Sequence, residues 1–309
     1  MGINRDPNSS MKWTINRGAR EPRRPELEKR PAREGDAPPT LEQRLMRELG
    51  PAYFMGEAPP LIEYDTAKWA RRAKNDKLFK RLMKLYASIP GVTCGDCGHV
   101  CCSDSPDFYV LEYLHAWRHI RYELKDPDLE AHILRRALRW AFLKFVAGDV
   151  FCPFLHDGRC VIYPVRPLNC RVWALEDDAY YEAKAARARE SVKKQQAYFE
   201  SHGVKLLKPL EEFVLPRCRD IEIHGGRRFS EQEIRDIDME VAFLHKSLLQ
   251  PAQFRSINFH LHFPGHVALK AVAPGAFDDT RIRIALEFQD ENSEKQLNEI
   301  MESYGGRLP

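Results

Sequence analysis

Apolar positions in "TAKWARRAKNDKLFKRLMKLY" (66–86) fall at Trp69, Ala73, Leu78, Leu82, Leu85 and Tyr86. The steps from Trp69 to Leu85 are three to five residues, which gathers these positions near one face of a helix. "SPDFYVLEYLHAWRHIRYEL" (105–124) reads the same way, with Ser105 as N-cap and Pro106 at the first helical position. A further helix starts at Asp126-Pro127 and runs through "DLEAHILRRALRWAFLKFVAG", where Gly148 supplies the stop. Residues 176–202 are rich in Ala, Glu and Lys, and Gly203 closes them, which predicts another helix. Ser230 and Glu233 form an S-x-x-E box ahead of "IRDIDMEVAFLHKSLL", and Pro251 ends that run.

After Pro251 the period changes to two. Ile257, Phe259, Leu261 and Phe263 alternate in "SINFHLHF", as do Ile282, Ile284, Leu286 and Phe288 in "RIRIALEF". Both runs predict strands, and "HVALKAV" (266–272) is a third candidate. A short helix near 293–304 closes the chain. The expected fold class is mainly α (α+β). A helical body occupies 41–250, and a small C-terminal β-rich unit occupies 251–309. No internal repeat of 20–50 residues is present.

Residues 1–40 carry no such periodicity. They hold six of the 21 prolines, with nine Lys/Arg against six Asp/Glu, and predict a disordered, basic, proline-rich tail. The tail's net charge of +3 equals that of the whole chain, so the other 269 residues are balanced. Balance there argues against nucleic-acid binding as the main role. The one basic patch of the folded part is 66–86, with eight Lys/Arg against one Asp. It reads as a solvated face or, together with the tail, as the docking surface of an adaptor for an acidic protein partner.

A chain of 309 residues buries roughly 75% of its unfolded surface and needs no disulfides to hold a core. At 43% hydrophobic and 30% charged residues, its composition is that of a soluble globular protein. Apolar runs such as "WAFLKFVA" (140–147) fall far short of the ~20 residues of a membrane span. The first residues show no apolar signal-peptide core, and Asp6 stands where a myristoylation signal needs Ser or Thr. The expected location is the cytoplasm.

That location bears on the cysteines. Seven of the eight crowd into two patches. "CGDCGHVCC" (94–102) holds Cys94, Cys97, Cys101 and Cys102. "CPFLHDGRCVIYPVRPLNCR" (152–171) holds Cys152, Cys160 and Cys170. Thiols in a reducing compartment stay reduced, so clusters read as metal ligands or redox groups. Cys94 and Cys97 have C-x-x-C spacing, which brings two sulfurs to one ion across a tight turn. Gly95 and Gly98 make that turn permissive. Cys101 and Cys102 are adjacent, and neighbours in an extended segment point to opposite sides. Either one ligates and the other packs, or each faces a different metal.

The second patch is spaced too widely to close a site alone. Each patch half-makes a site, which suggests one centre closed in space, with 105–147 as the excursion between the halves. Cys218 is either an eighth ligand or a plain buried thiol. The spacing fits neither a classical zinc finger nor a bacterial ferredoxin run. It also lacks the order used by radical enzymes that cleave S-adenosylmethionine, and no parallel-sheet context supports a thioredoxin-like pair.

"CGDCGHVCC" with "CPFL…GRCVIYPVRPLNCR" resembles the zinc- or iron-chelating CxxCxxCC domain family, also called YkgJ-like cysteine cluster proteins. The likeness covers residues 90–175. It implies a metal-binding protein with a thiolate-ligated iron–sulfur cluster or zinc at Cys94, Cys97, Cys101, Cys102, Cys152, Cys160 and Cys170. One branch of that family, the flagellin lysine N-methylases, carries a similar cluster and methylates lysine. The resemblance therefore also admits an iron–sulfur-dependent protein-modifying enzyme or a redox protein. Here three residues, not two, separate Cys97 from Cys101.

Arg159, Arg166 and Arg171 lie among the second-patch thiols. Four thiolates on a divalent ion leave a charge of about −2, which nearby arginines offset. Arg166 also suits recognition of an anion or carboxylate. His99 sits in the first patch as a possible substitute ligand. His115 and His119 are four apart on a helix, with Glu112 and Glu123 at helical spacing, and packing is the simpler role for them. His260 and His262 share the polar face of a predicted strand. No G-x-S-x-G, Walker loop or G-x-G-x-x-G is present, so no catalytic set is assigned.

Overall fold

The computed structural model describes residues 66–94, 100–103, 105–147, 150–173, 175–206, 214–218, 221–225, 227–248, 261–271, 277–289 and 298–299. The expected tail over 1–40, the start of the helical body, Gly148, Pro251, His260 and most of the 293–304 helix lie outside these residues. The same is true of the first half of the 256–263 strand.

The described chain is mainly helical. The basic run forms two helices rather than one, α1 (Thr66–Asn75) and α2 (Leu78–Tyr86). Lys77 separates them in the left-handed conformation, with φ 55°. Trp69, Ala73, Leu78, Leu82 and Tyr86 are buried as the periodicity predicts, and all eight cations of the run are exposed. Strand β1 (Val92–Cys94) follows and pairs antiparallel with β5 (Ile221–Ile223).

The next helix starts later than its sequence suggests. Asp107–Phe108 (β2) pair with Leu261–His262 (β6), which keeps the Ser105-Pro106 segment extended. Helix α3 (Val110–Arg118) then begins with the Tyr109 N–H donating to Glu112 Oε2 at 2.8 Å. A π-helical turn (His119–Leu124) leads to Lys125, again left-handed, at φ 55°. Helix α4 (Pro127–Leu143) opens as its sequence predicts, with Asp126 Oδ1 accepting from the Asp128 and Leu129 N–H groups at 3.1 and 3.0 Å.

The second patch folds as strands β3 (Leu155–His156) and β4 (Arg159–Cys160), a turn, and α5 (Leu168–Val172). Helix α6 (Asp178–Ser201) ends at Gly203, φ 80°, and α7 (Glu231–Leu248) carries the predicted Ser230–Glu233 box. In that box the Ser230 N–H donates to Glu233 at 3.0 Å.

The C-terminal β-rich unit is corrected. Residues 266–272 belong largely to helix α8 (Phe263–Ala271), and 281–288 lie within helix α9 (Phe277–Gln289). Both helices pack along α4. Among the described residues of the three expected strands, only Leu261–His262 pair as a strand. Burial explains the error: in α9, Ile282, Ile284 and Ala285 are buried while Leu286 is exposed, which is not a two-residue alternation. Asp278 and Asp279 sit in its first turn, where the helix dipole favours carboxylates.

Phe263 centres an aromatic cluster that sets the floor beneath the second patch. Its ring lies 4.5 Å from Phe154, 5.2 Å from Tyr113, 5.3 Å from Trp117 and 5.5 Å from Phe108. All five side chains are buried.

Candidate metal centre

Two local devices hold the second patch. Asp157 and Gly158 both have positive φ, 46° and 69°, which is the backbone of a tight two-residue hairpin. That turn pairs Leu155 with Cys160 and His156 with Arg159. Further on, Pro167 precedes α5, whose first N–H, that of Leu168, donates to Glu112 Oε1 at 2.7 Å. Tyr86 OH donates to the same Oε1. Glu112 is 2% exposed and thereby joins α2, α3 and the helix that carries Cys170.

The first patch meets the second through its backbone. The Cys152 N–H donates to the Cys102 carbonyl at 2.9 Å. Residues 100–102 form one 3₁₀ turn, not an extended segment. That corrects the expectation that Cys101 and Cys102 point apart, since their sulfurs lie 3.9 Å from each other. Cys102 and Cys152 are buried, Cys160 and Cys170 are half-buried, and Cys101 is exposed.

The thiols feel one another. The hydrogen bond with Cys102, then burial, drives the Cys101 thiol far above its ordinary range. Cys102 is drawn down by its bond with Cys101 but pushed up more by Cys152 and by burial, to about 12. Burial lifts Cys160 to about 11, with Cys101 adding to the effect. Burial also raises Cys170, and Cys160, Cys101 and Cys102 contribute. Arg166, stacked over the Tyr163 ring at 4.2 Å, opposes the rise at Cys101, Cys160 and Cys170. Without a bound cation these four groups stay protonated thiols. A metal ion lowers thiol pKa values outright and makes them ligands.

Five soft sulfur donors beside one guanidinium suit a thiophilic metal or cluster. Among the described residues, no group of three or more His, Cys, Asp or Glu side chains is already arranged to hold an ion. Cys97, His99 and the Cys94 side chain lie outside the described residues. Cys218 is buried.

The other candidates take structural places. Arg171 lies over the Tyr86 ring at 4.5 Å and donates to the Arg166 and Pro164 carbonyls, each at 2.8 Å. Arg159 is exposed on the hairpin. His119 Nδ1 pairs with Glu123 at 2.8 Å. His262, expected on a wet strand face, is only partly exposed and contacts the Ser105 carbonyl at 2.5 Å and Asp107 at 3.3 Å.

His115 stacks on Phe79 at 5.2 Å, and burial, helped by Arg118, lowers its pKa from 6.5 to about 4. Between those values the unfolded chain binds a proton that the folded one refuses. Stability is therefore lost as pH falls from 6.5 towards 4, by up to about 3 kcal/mol for this group. Thermal melts across that window are expected to fall less steeply for His115→Leu than for the parent.

Sequence reasoning missed Glu112 as the clamp on α5 and the hairpin at Asp157-Gly158. The second had a signal, because Asp-Gly between extended residues is a strong hairpin mark. Glu112 had none, since its three partners lie 3, 26 and 56 residues away. No family model, curated protein or solved structure matches the chain. The family resemblance thus rests on the two cysteine motifs alone.

Proposed function

We propose that this chain is a metal-binding protein whose centre, an iron–sulfur cluster or zinc, is held by thiolates from both cysteine patches. The observation that carries this reading is the seam between them. The Cys152 N–H is bonded to the Cys102 carbonyl at 2.9 Å, and thiols from both patches share one electrostatic neighbourhood beside Arg166. Neutral thiols at that density serve no packing need that alanine or valine would not meet. As metal ligands they need the burial, the arginine and the rigid turns that surround them.

The test is the full chain purified without oxygen. Brown protein absorbing at roughly 400 nm, with iron and sulfide, supports a cluster. Colourless protein with stoichiometric zinc supports the zinc form. Protein that carries no metal in stoichiometric amount, and takes up neither zinc nor iron with sulfide on reconstitution, overturns the proposal. A cluster would make lysine N-methylation of a protein substrate the first reaction to assay, on the strength of the motif resemblance.

A further inference from the structure

We propose that Cys101 and Cys102 form a two-thiolate bite on a single ion, with Cys101 at the solvent edge as the ligand that the ion meets first and leaves last. The inference rests on the metal-binding reading above and assigns roles within that centre.

The geometry comes from the backbone. Adjacent residues of a strand point apart, but Val100–Cys102 form a 3₁₀ turn, in which successive side chains step round by about 120°, and here the two sulfurs meet. The resulting sulfur–sulfur separation is 3.9 Å. A tetrahedral ion with metal–sulfur bonds of about 2.3 Å holds its sulfurs about 3.8 Å apart. The pair therefore stands at the edge length of one tetrahedron before any ion arrives. A four-iron cluster distributes four cysteines over four irons, and a neighbouring pair at this distance does not match that spread. The ligand class is a single thiophilic ion that takes two thiolates, either zinc or one iron of a two-iron cluster.

Exposure supplies the asymmetry. Cys102 is 7% exposed and backed by Cys152 at 4%, whereas Cys101 is open to solvent. An incoming ion or a competing chelator reaches Cys101 first. Both thiolates then contribute to affinity, and the exposed one also sets the rate of exchange.

The experiment uses the full chain as anaerobic apoprotein with Co²⁺ as the probe. Thiolate-to-cobalt absorption reports how many sulfurs bind, and a chase with EDTA reports release. Loss of a supporting residue outside the ligand set already costs about 10–100-fold in affinity. Cys101→Ser and Cys102→Ser are therefore each expected to weaken cobalt binding by more than about 100-fold. Each should also lower the charge-transfer band by one thiolate's share. Cys101→Ser should release cobalt to EDTA at least about tenfold faster than the parent.

A second arm titrates the apoprotein with phenylarsine oxide. One As=O group condenses with two S–H groups to give two As–S bonds and one water. In protein already carrying Cys94→Ser, Cys97→Ser and Cys152→Ser, with or without Cys218→Ser, one equivalent by mass is expected, and adding Cys101→Ser or Cys102→Ser is expected to abolish the uptake. Parent protein that binds cobalt, paired with a Cys101→Ser variant of unchanged band and affinity, overturns the bite and leaves the metal-binding reading standing. Parent protein that binds neither cobalt nor zinc overturns both.

Discussion

Cys170→Ser is expected to lose the metal and loosen both cysteine patches at once. The reporter is the Cys152 amide, whose hydrogen bond to the Cys102 carbonyl spans the seam. In small peptides, structural zinc supplies about 10–16 kcal/mol of apparent binding free energy, comparable with the about 5–15 kcal/mol that stabilises a whole domain. A centre of that strength dominates local order where two irregular segments meet. Hydrogen exchange on the metal-loaded parent and the variant should show protection at Cys152, and across 100–103, falling by more than about 100-fold, equivalent to about 2.7 kcal/mol. Helix α4, with its Asp126 cap and buried Ile133, Ala137, Leu138 and Ala141, should keep most of its protection. Cys218→Ser should change neither segment. If 100–103 stay as protected in Cys170→Ser as in the parent, the patches do not share a centre.

Glu112→Ala is expected to be the most destabilising substitution outside the cysteines. It removes the acceptor of three donors at once: the Tyr86 hydroxyl, the Tyr109 N–H and the Leu168 N–H. Each buried donor left without a partner costs about 1–3 kcal/mol. Some relaxation is inevitable, so a total of about 3–5 kcal/mol is expected in urea unfolding. Glu112→Gln keeps the shape but turns an NH₂ group towards one of those donors, and should cost about 1–3 kcal/mol. The variants should also reduce metal content, because the Leu168 N–H opens the helix that carries Cys170. A loss under about 1 kcal/mol for Glu112→Ala would show that water replaces the carboxylate and that the clamp is dispensable.

Local chemistry was legible in the sequence. Asp126-Pro127, Ser230 with Glu233, and Gly203 each mark a helix end through bonds or backbone freedom that involve only near neighbours. The apolar face of 66–86 was equally plain, although the left-handed Lys77 splits the helix at a place that no glycine or proline announces.

What failed depended on distant partners. Asp107–Phe108 pair with Leu261–His262, more than 150 residues away, so a good N-cap sequence at Ser105-Pro106 was overruled. The run at 281–288 has apolar residues that satisfy both periods, and short apolar runs do not distinguish strand from helix. The face presented to α4 decided it, with Ala285 chosen over Leu286. For the cysteines, the spacing pointed to two cooperating patches, but the relation of Cys101 to Cys102 turned on one 3₁₀ turn that the sequence does not mark.

The seam between Cys102 and Cys152 also orders events during synthesis. Cys170 follows Cys101 by 69 residues, and helices α3 and α4 lie between the two patches. At roughly 5–20 residues per second, the ribosome delivers Cys170 roughly 3–14 seconds after Cys101. Helices form in about a microsecond, so the intervening pair is ready long before the second patch emerges. On the metal-binding reading proposed above, the first patch during that interval is a half-built chelate, open to any thiophilic ion and to oxidation, and loading is a step that follows translation through α5. A ribosome-bound chain halted before Cys152 should hold metal only loosely, and one halted well past Cys170 should retain it.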